Sequence, residues 1–260
     1  MIKILKSDNL HELEEYVGKP VASRLYENRN FFMPLGEKRY FLSFHWVDNN
    51  RLTIYADTTT FVIMTESNDI IGFVEKIDTL DNGILQLYEF FMEITANDVY
   101  QLETMENLIS NLEDRLLTEK KPTCNGINDI ISVRKDLLTQ KRYYVQMEFL
   151  TDEIAAIDPT FIFIDKKFDR LLDFILHLQE YIEQVREAYQ AQIDIEQNNI
   201  MKIFTVVTSI FLPLTLIVGW YGMNLQMPEY HWVYGYPIVI GISIVVCVIS
   251  VLIFIRKKWF

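Results

Sequence analysis

"NNIMKIFTVVTSIFLPLTLIVGWYGMN" runs from Asn198 to Asn224. No charged residue lies between Ile203 and Gly219, and none between Pro237 and Ile255 further on. A helix needs about 20 apolar residues to cross the hydrocarbon of a bilayer, so both runs are predicted to span. Pro213 is tolerated in such a helix because neighbouring groups can satisfy the carbonyl it frees. The link between the spans contains no Lys or Arg, whereas Lys202 precedes the first span and "IRKKWF" closes the chain. The positive-inside rule therefore places both termini in the cytoplasm and the Gly-Met-Asn link outside a cell membrane. Trp220, Tyr221, Tyr230, Trp232, Tyr234 and Tyr236 crowd the predicted outer boundary, and Trp259 sits near the inner one, as in an aromatic belt.

At 100° per residue the first span divides into two faces. Asn198, Met201, Thr205, Thr208, Leu212, Thr215 and Gly219 share one stripe, and Ile203, Val206, Val207, Ile210, Leu214 and Ile217 occupy the other side. Small and hydroxyl side chains on one stripe suit packing against another helix. They equally suit a surface that lines water, which requires several copies of the chain around an axis. Upstream, Phe168, Leu171, Leu172, Ile175, Leu178, Ile182, Val185 and Tyr189 keep a spacing near 3.5, the pattern of a helical seam. No Gly or Pro interrupts residues 160–212, so a single stalk helix running into the first span is predicted.

Charge separates the body from the spans. The first 200 residues hold 35 acidic and 20 basic side chains, a net −15, whereas the last 60 carry +3. A nucleic-acid binder needs a basic footprint, so that class is excluded; cations are the more natural partners of such a surface. Cys124 and Cys247, the only cysteines, supply neither a disulfide framework nor a metal spacing. "MIKILKSDNLHELEE" lacks an apolar core of signal-peptide length, and the body is expected to stay inside.

In the body, Arg39–Val47, Arg51–Ala56, Thr60–Thr65 and Asp69–Lys76 read as strands of a mostly antiparallel sheet. Helical periodicity starts near Leu85. Leu102, Met105, Leu108, Ile109, Leu112 and Leu116 mark one helix, "KKPTCNG" ends it, and Ile127, Ile130, Ile131, Leu137, Leu138 and Val145 mark the next. Strands followed by helices predict an α+β layer joined to the stalk. There is no phosphate-binding loop, and His11, His45, His177 and His231 lack the spacing of a helical zinc site. No catalytic signature is present, so the chain is not expected to be an enzyme.

The run from Asn198 to Tyr230, the second span and the terminal "RKKWF" closely resemble the CorA family of magnesium channels. Gly222-Met223-Asn224 alone is a weak signal; preceded by Tyr221 at the outer end of the penultimate helix and followed by Met227-Pro228-Glu229, it is a specific one. The detailed match covers about the last 65 residues. The resemblance implies a homopentameric channel with an α+β (α/β/α) cytoplasmic funnel, a long stalk helix and two transmembrane helices. It divides the chain into a cytoplasmic α/β domain (1–159), stalk (160–202), pore-lining span (203–220), external loop (221–236), second span (237–255) and basic tail (256–260). It further implies a pore lined by Asn198, Met201, Phe204, Thr208, Leu212, Thr215 and Gly219, and a mouth where Gly222, Met223 and Asn224 hold a hydrated cation. Glu187 is a candidate cytoplasmic cation site. Mg²⁺ is implied as both transported and regulatory ion, with no cofactor and with lipid as surroundings. Zinc, cobalt or nickel transport is the nearest alternative, and a non-conducting membrane-tethered sensor or scaffold is a different class. Leu212 stands where many relatives carry Met.

Overall fold

The structure is a computed structural model that describes residues 2–6, 9–27, 30–46, 50–118, 124–223 and 232–256. Its contacts divide the chain into two units, Met1–Glu187 and Ala188–Phe260.

The first unit is built on a five-stranded sheet in the order β1-β5-β4-β3-β2. The strands are β1 (Ile2–Leu5), β2 (Phe31–Pro34), β3 (Tyr40–His45), β4 (Arg51–Ala56) and β5 (Phe61–Met64). β1 pairs parallel to β5; the other three pairings are antiparallel. β3 and β4 are buried almost along their length, as near-continuous apolar strands are when both faces are covered. On one face Phe41, Tyr55 and Val62 pack with Leu13 and Val17 of α1 (Leu10–Val17) and with Ala22 of α2 (Lys19–Ala22). On the other, Phe44 stacks on Phe91 of α4 (Gly83–Ile94) at 6.5 Å, and Phe61 meets Phe90 at 6.1 Å. Tyr40 meets Phe161 edge-on, and its hydroxyl donates to Asp158. The layers are therefore α/β/α.

Three of the four expected strands are present, with the first shortened to Tyr40–His45 and the third to Phe61–Met64. The fourth is corrected: Asp69–Lys76 lies in α3 (Asn68–Ile77). Its run of β-branched residues suggests a strand, yet Ile70, Val74 and Ile77, spaced 4 and 3, are the ones buried. Helical burial overrides the local β preference. The helical run that follows the sheet accordingly begins at Asn68, earlier than the expected Leu85, and α1 and α2, which precede it, were not expected from the sequence. β1 and β2, each four residues long, carry too little alternation to be seen in sequence.

α5 (Asp98–Thr118) and α6 (Cys124–Ile157) follow, and then α7 (Ile162–Tyr221). The stalk and the first span are thus one helix. α7 buries Ile164, Phe168, Leu171, Ile175, Leu178, Ile182, Val185 and Tyr189, a 4-3 alternation that keeps one stripe inward. The three helices are cross-tied: Arg115 of α5 to Asp129 of α6, Arg134 of α6 to Glu183 of α7 at 3.0 Å, and the Tyr181 hydroxyl of α7 to Glu113 of α5 at 2.6 Å. The residues marking α6 in sequence belong to two faces. Ile130 and Leu137 are buried, whereas Ile127, Ile131, Leu138 and Val145 are exposed.

Glu148 and Asp152 of α6 meet Asp165 and Asp169 of α7. Burial, then the neighbouring carboxylates, raise the pKa of Glu148 and of Asp165. A carboxyl whose folded pKa is raised destabilises the fold when ionised, and this loss is relieved as pH falls through the raised value. Glu148→Gln with Asp165→Asn is therefore expected to melt above the wild type at pH 7, with the gap closing as the buffer is taken towards pH 4.5. Thermal denaturation across that range measures it; a gap that widens on acidification would contradict the assignment.

Candidate functional site

In the second unit, α7 continues to Tyr221 and α8 runs from Gly235 to Arg256. Both are long and apolar enough to cross a membrane. α8 is apolar all round, with Ile244, Val245, Val248 and Ile249 exposed, which suits lipid or other helices rather than water. α7 is two-sided. Val206 is buried, and Ile210, Leu214, Ile217 and Tyr221, spaced by four, three and four from Ile210, are only partly exposed. A crevice lined by Leu214, Ile217 and Tyr221 of α7 and by Val239, Ser243 and Cys247 of α8 marks this as the side that α8 covers.

The other side holds the sequence-predicted residues. Asn198, Met201, Phe204, Thr208, Leu212, Thr215 and Gly219 are all exposed. Met201, Phe204 and Leu212 are 62%, 64% and 66% exposed, so a single chain leaves its largest apolar side chains on this face uncovered. Thr208, Leu212, Thr215, Gly219 and Met223 line one shallow groove along the helix. Phe211, 62% exposed, lines the same groove. It escaped the sequence reading, although its place three residues after Thr208 and four before Thr215 puts it on the same flank. The groove has no ionisable side chain.

The hydroxyls have a defined direction. Thr205 donates to the carbonyl of Met201 at 2.8 Å, Thr208 to that of Phe204 at 2.7 Å and Thr215 to that of Phe211 at 2.8 Å. Each hydroxyl has one proton and two lone pairs. With the proton committed to the helix backbone, what each oxygen presents outward is acceptor capacity. Water bound to a cation points its protons away from the metal, so a surface of neutral acceptors matches a hydrated cation and mismatches a hydrated anion.

At the end of α7 the Gly222 amide donates to Val218 O at 2.9 Å and that of Met223 to Trp220 O at 3.3 Å. A β-carbon on Gly222 would sit 3.0 Å from Val218 O. The glycine permits this close approach; its φ is not in the left-handed region. Asn224, with Met227, Pro228 and Glu229, lies outside the described residues. Glu187 is the last residue of the first unit, exposed and without an ion pair among the described residues. No group of three or more His, Cys, Asp or Glu that could hold a metal occurs among the described residues, so Glu187 belongs to no such group within one chain.

Comparison with known proteins extends these observations over most of the chain. The family model described as CorA-like Mg²⁺ transporter protein matches residues 32–257. A candidate metal ion transporter of Bacillus subtilis is 33% identical over 168 residues, 59% of this chain and 53% of that protein. The magnesium transport protein CorA of Wolinella succinogenes is 26% identical over 241 residues, 85% of this chain and 75% of the relative. Among solved structures, the CorA magnesium transporter of Methanocaldococcus jannaschii superposes with a TM-score of 0.77 at 21% identity, over 99% of this chain and 90% of that one. At that identity the superposition speaks for the fold.

Proposed function

Because the chain belongs to the family of CorA-like Mg²⁺ transporter proteins, we propose that it is a channel for passive uptake of hydrated Mg²⁺ across a cell membrane. The observation that carries this reading is the exposed stripe of Thr208 and Thr215 with its hydroxyl protons tied back onto α7. Mg²⁺ dehydrates reluctantly, and neutral oxygens that accept from its water shell let it pass without trapping it, as conduction requires. One helix cannot enclose a path, so several copies are needed; the family resemblance implies a homopentamer, with α7 innermost and α8 facing lipid. Both termini lie in the cytoplasm. Gly222, Met223 and Asn224 form the outer mouth, where five Asn224 carbonyls accept from the ion's water. Rings of Met201, Phe204 and Leu212 close the path by dewetting.

The driving force is the membrane potential. At about 2.3 kcal/mol per charge per 100 mV, a divalent ion gains about 4.6 kcal/mol on entering a cell at −100 mV. Regulation resides in the acidic body. Internal Mg²⁺ screens the repulsion among copies that each carry −15 in their first 200 residues, with Glu187 as one contact, and holds the pore closed; depletion opens it.

The test is divalent influx into liposomes under an inside-negative potential, with Mg²⁺ and Zn²⁺ in competition. Wild type is expected to carry Mg²⁺ with little loss to Zn²⁺, and Asn224→Ala to lose most of that flux. Zn²⁺ carried in preference to Mg²⁺ would favour the zinc, cobalt or nickel reading. Equal Mg²⁺ flux in the two proteins would remove Asn224 from the mouth.

A further inference from the structure

α6 carries an apolar stripe that its own chain leaves uncovered. Ile127, Ile131, Leu138, Val145 and Phe149 are 45%, 56%, 50%, 42% and 61% exposed. At 100° per residue they fall within about 40° of one another. Lys135, Lys141 and Arg142 lie beside this stripe and make no ion pair among the described residues. From Ile127 to Val145 this face is basic and apolar, out of character in a body with a net charge of −15, whereas Asp152 and Glu153 flank its Phe149 end. α5 carries its counterpart. Glu103, Glu106 and Asp114 share a face with the exposed Val99 and Leu117, and no Lys or Arg lies among them.

These faces cannot meet within one chain. The two helices face each other through the Arg115–Asp129 pair, and the charged faces lie on other sides of each helix. α7 binds α5 through Tyr181 and Glu113, and α6 through Glu183 and Arg134. The acidic face of α5 and the basic face of α6 therefore flank α7 on opposite sides. Two complementary surfaces on opposite sides of one protomer form a heterologous contact, which closes into a ring when the rotation allows. Heights agree as well. Equal steps along the chain from the Arg115–Asp129 pair reach Glu103 on α5 and Lys141 on α6, and a rotation about an axis along the helices keeps heights unchanged. The same count places Leu117 near Ile127 and Val99 near Val145, apolar opposite apolar.

We propose that the basic, apolar face of α6 docks on the acidic face of α5 from the neighbouring copy of this chain, forming a subunit contact outside the spans. The contact rests on the oligomeric ring of the proposed channel, and it supplies that ring with a register: Lys141 and Arg142 of one copy against Glu103 and Glu106 of the next. Burying the stripe removes apolar surface from water, and the flanking charges select the heterologous pairing, since α6 against α6 sets like charges together.

Full-length protein in detergent tests it. With Cys124→Ser and Cys247→Ser as background, Glu103→Cys with Lys141→Cys is treated with a short bis-maleimide and run on a denaturing gel. A ladder from dimer upward is expected from the double variant and from neither single variant. Assembled protein, verified by light scattering, that yields only monomer bands overturns the contact while leaving the ring intact; a monomeric wild type overturns the ring and the contact together. A second arm reads the charges through a Val99→Cys/Val145→Cys pair. Lys141→Glu with Arg142→Glu is expected to cut that cross-link at least ten-fold, and adding Glu103→Lys with Glu106→Lys to restore it. Failure to restore overturns the charge matching.

Discussion

Gly83→Ala is expected to lower the melting temperature of the first unit by about 10 °C. Gly83 opens α4 directly after Asn82, whose side chain accepts from the amide of Ile84 at 2.9 Å and that of Leu85 at 3.4 Å. The glycine is pressed against the turn between β4 and β5. A β-carbon there would lie 2.2 Å from Thr60 O and 2.4 Å from Asp57 O. Both are backbone atoms, and the turn is held by its own bonds: the amides of Thr59 and Thr60 each donate to an Asp57 carboxylate oxygen at 2.7 Å. Neither side can yield cheaply, so α4 must lift off the sheet and disturb Phe90 and Phe91. Overpacking of this kind costs about 3 kcal/mol at the upper end of its usual range, and each kcal/mol shifts the midpoint by roughly 2–4 °C for a unit of this size. Gly72→Ala is the control. Nothing lies within 4 Å of a β-carbon at Gly72, inside α3, so alanine there is expected to stabilise by about 0.4–1 kcal/mol. Thermal denaturation of both variants decides it. Equal midpoints would refute the close approach at Gly83.

Thr208→Val with Thr215→Val is expected to reduce Mg²⁺ influx at least ten-fold while leaving the helix and the assembly intact. Valine keeps the branched shape of threonine and its stiffness in a helix, so the groove on α7 retains its width. What disappears is the oxygen that faces outward, two rings of acceptors in the proposed assembly. A tenfold change in rate corresponds to about 1.4 kcal/mol of barrier, close to the net worth of one hydrogen bond. The expected loss therefore requires only that the hydrated ion give up about one such contact at each crossing. Thr208→Ser with Thr215→Ser keeps the acceptors and is expected to conduct. Flux through the valine variant equal to wild type would show that the hydroxyls serve helix packing, the other role open to a stripe of small polar residues.

The spans, the stalk and the polar stripe were legible because each is a property of one helix. Charge-free runs of 17 and 19 residues report on solvent alone, and a 3.6-residue period sorts side chains onto faces whatever lies beyond them. The seam from Phe168 to Tyr189 was legible for the same reason and is buried apart from the half-exposed Leu172. Asp69–Lys76 was misjudged because a short β-branched run satisfies either period until its neighbours are known. The α6 markers mixed two faces because α6 is apolar on both, and periodicity cannot say which one its own chain covers.

Taken by itself, the sequence determined that two apolar helices lie within residues 200–260, that the first has one polar side, and that the body before them is acidic. Those features follow from the chemistry of consecutive side chains and need no partner. Only the tertiary structure decided that β1 lies parallel beside β5, that Gly83 must have no side chain, and that the acidic face of α5 and the basic face of α6 lie on opposite sides of α7. It also decided that the threonine protons of α7 are turned inward onto the backbone. Each of these depends on what stands across a gap in space, and distance in space is not encoded by spacing along the chain.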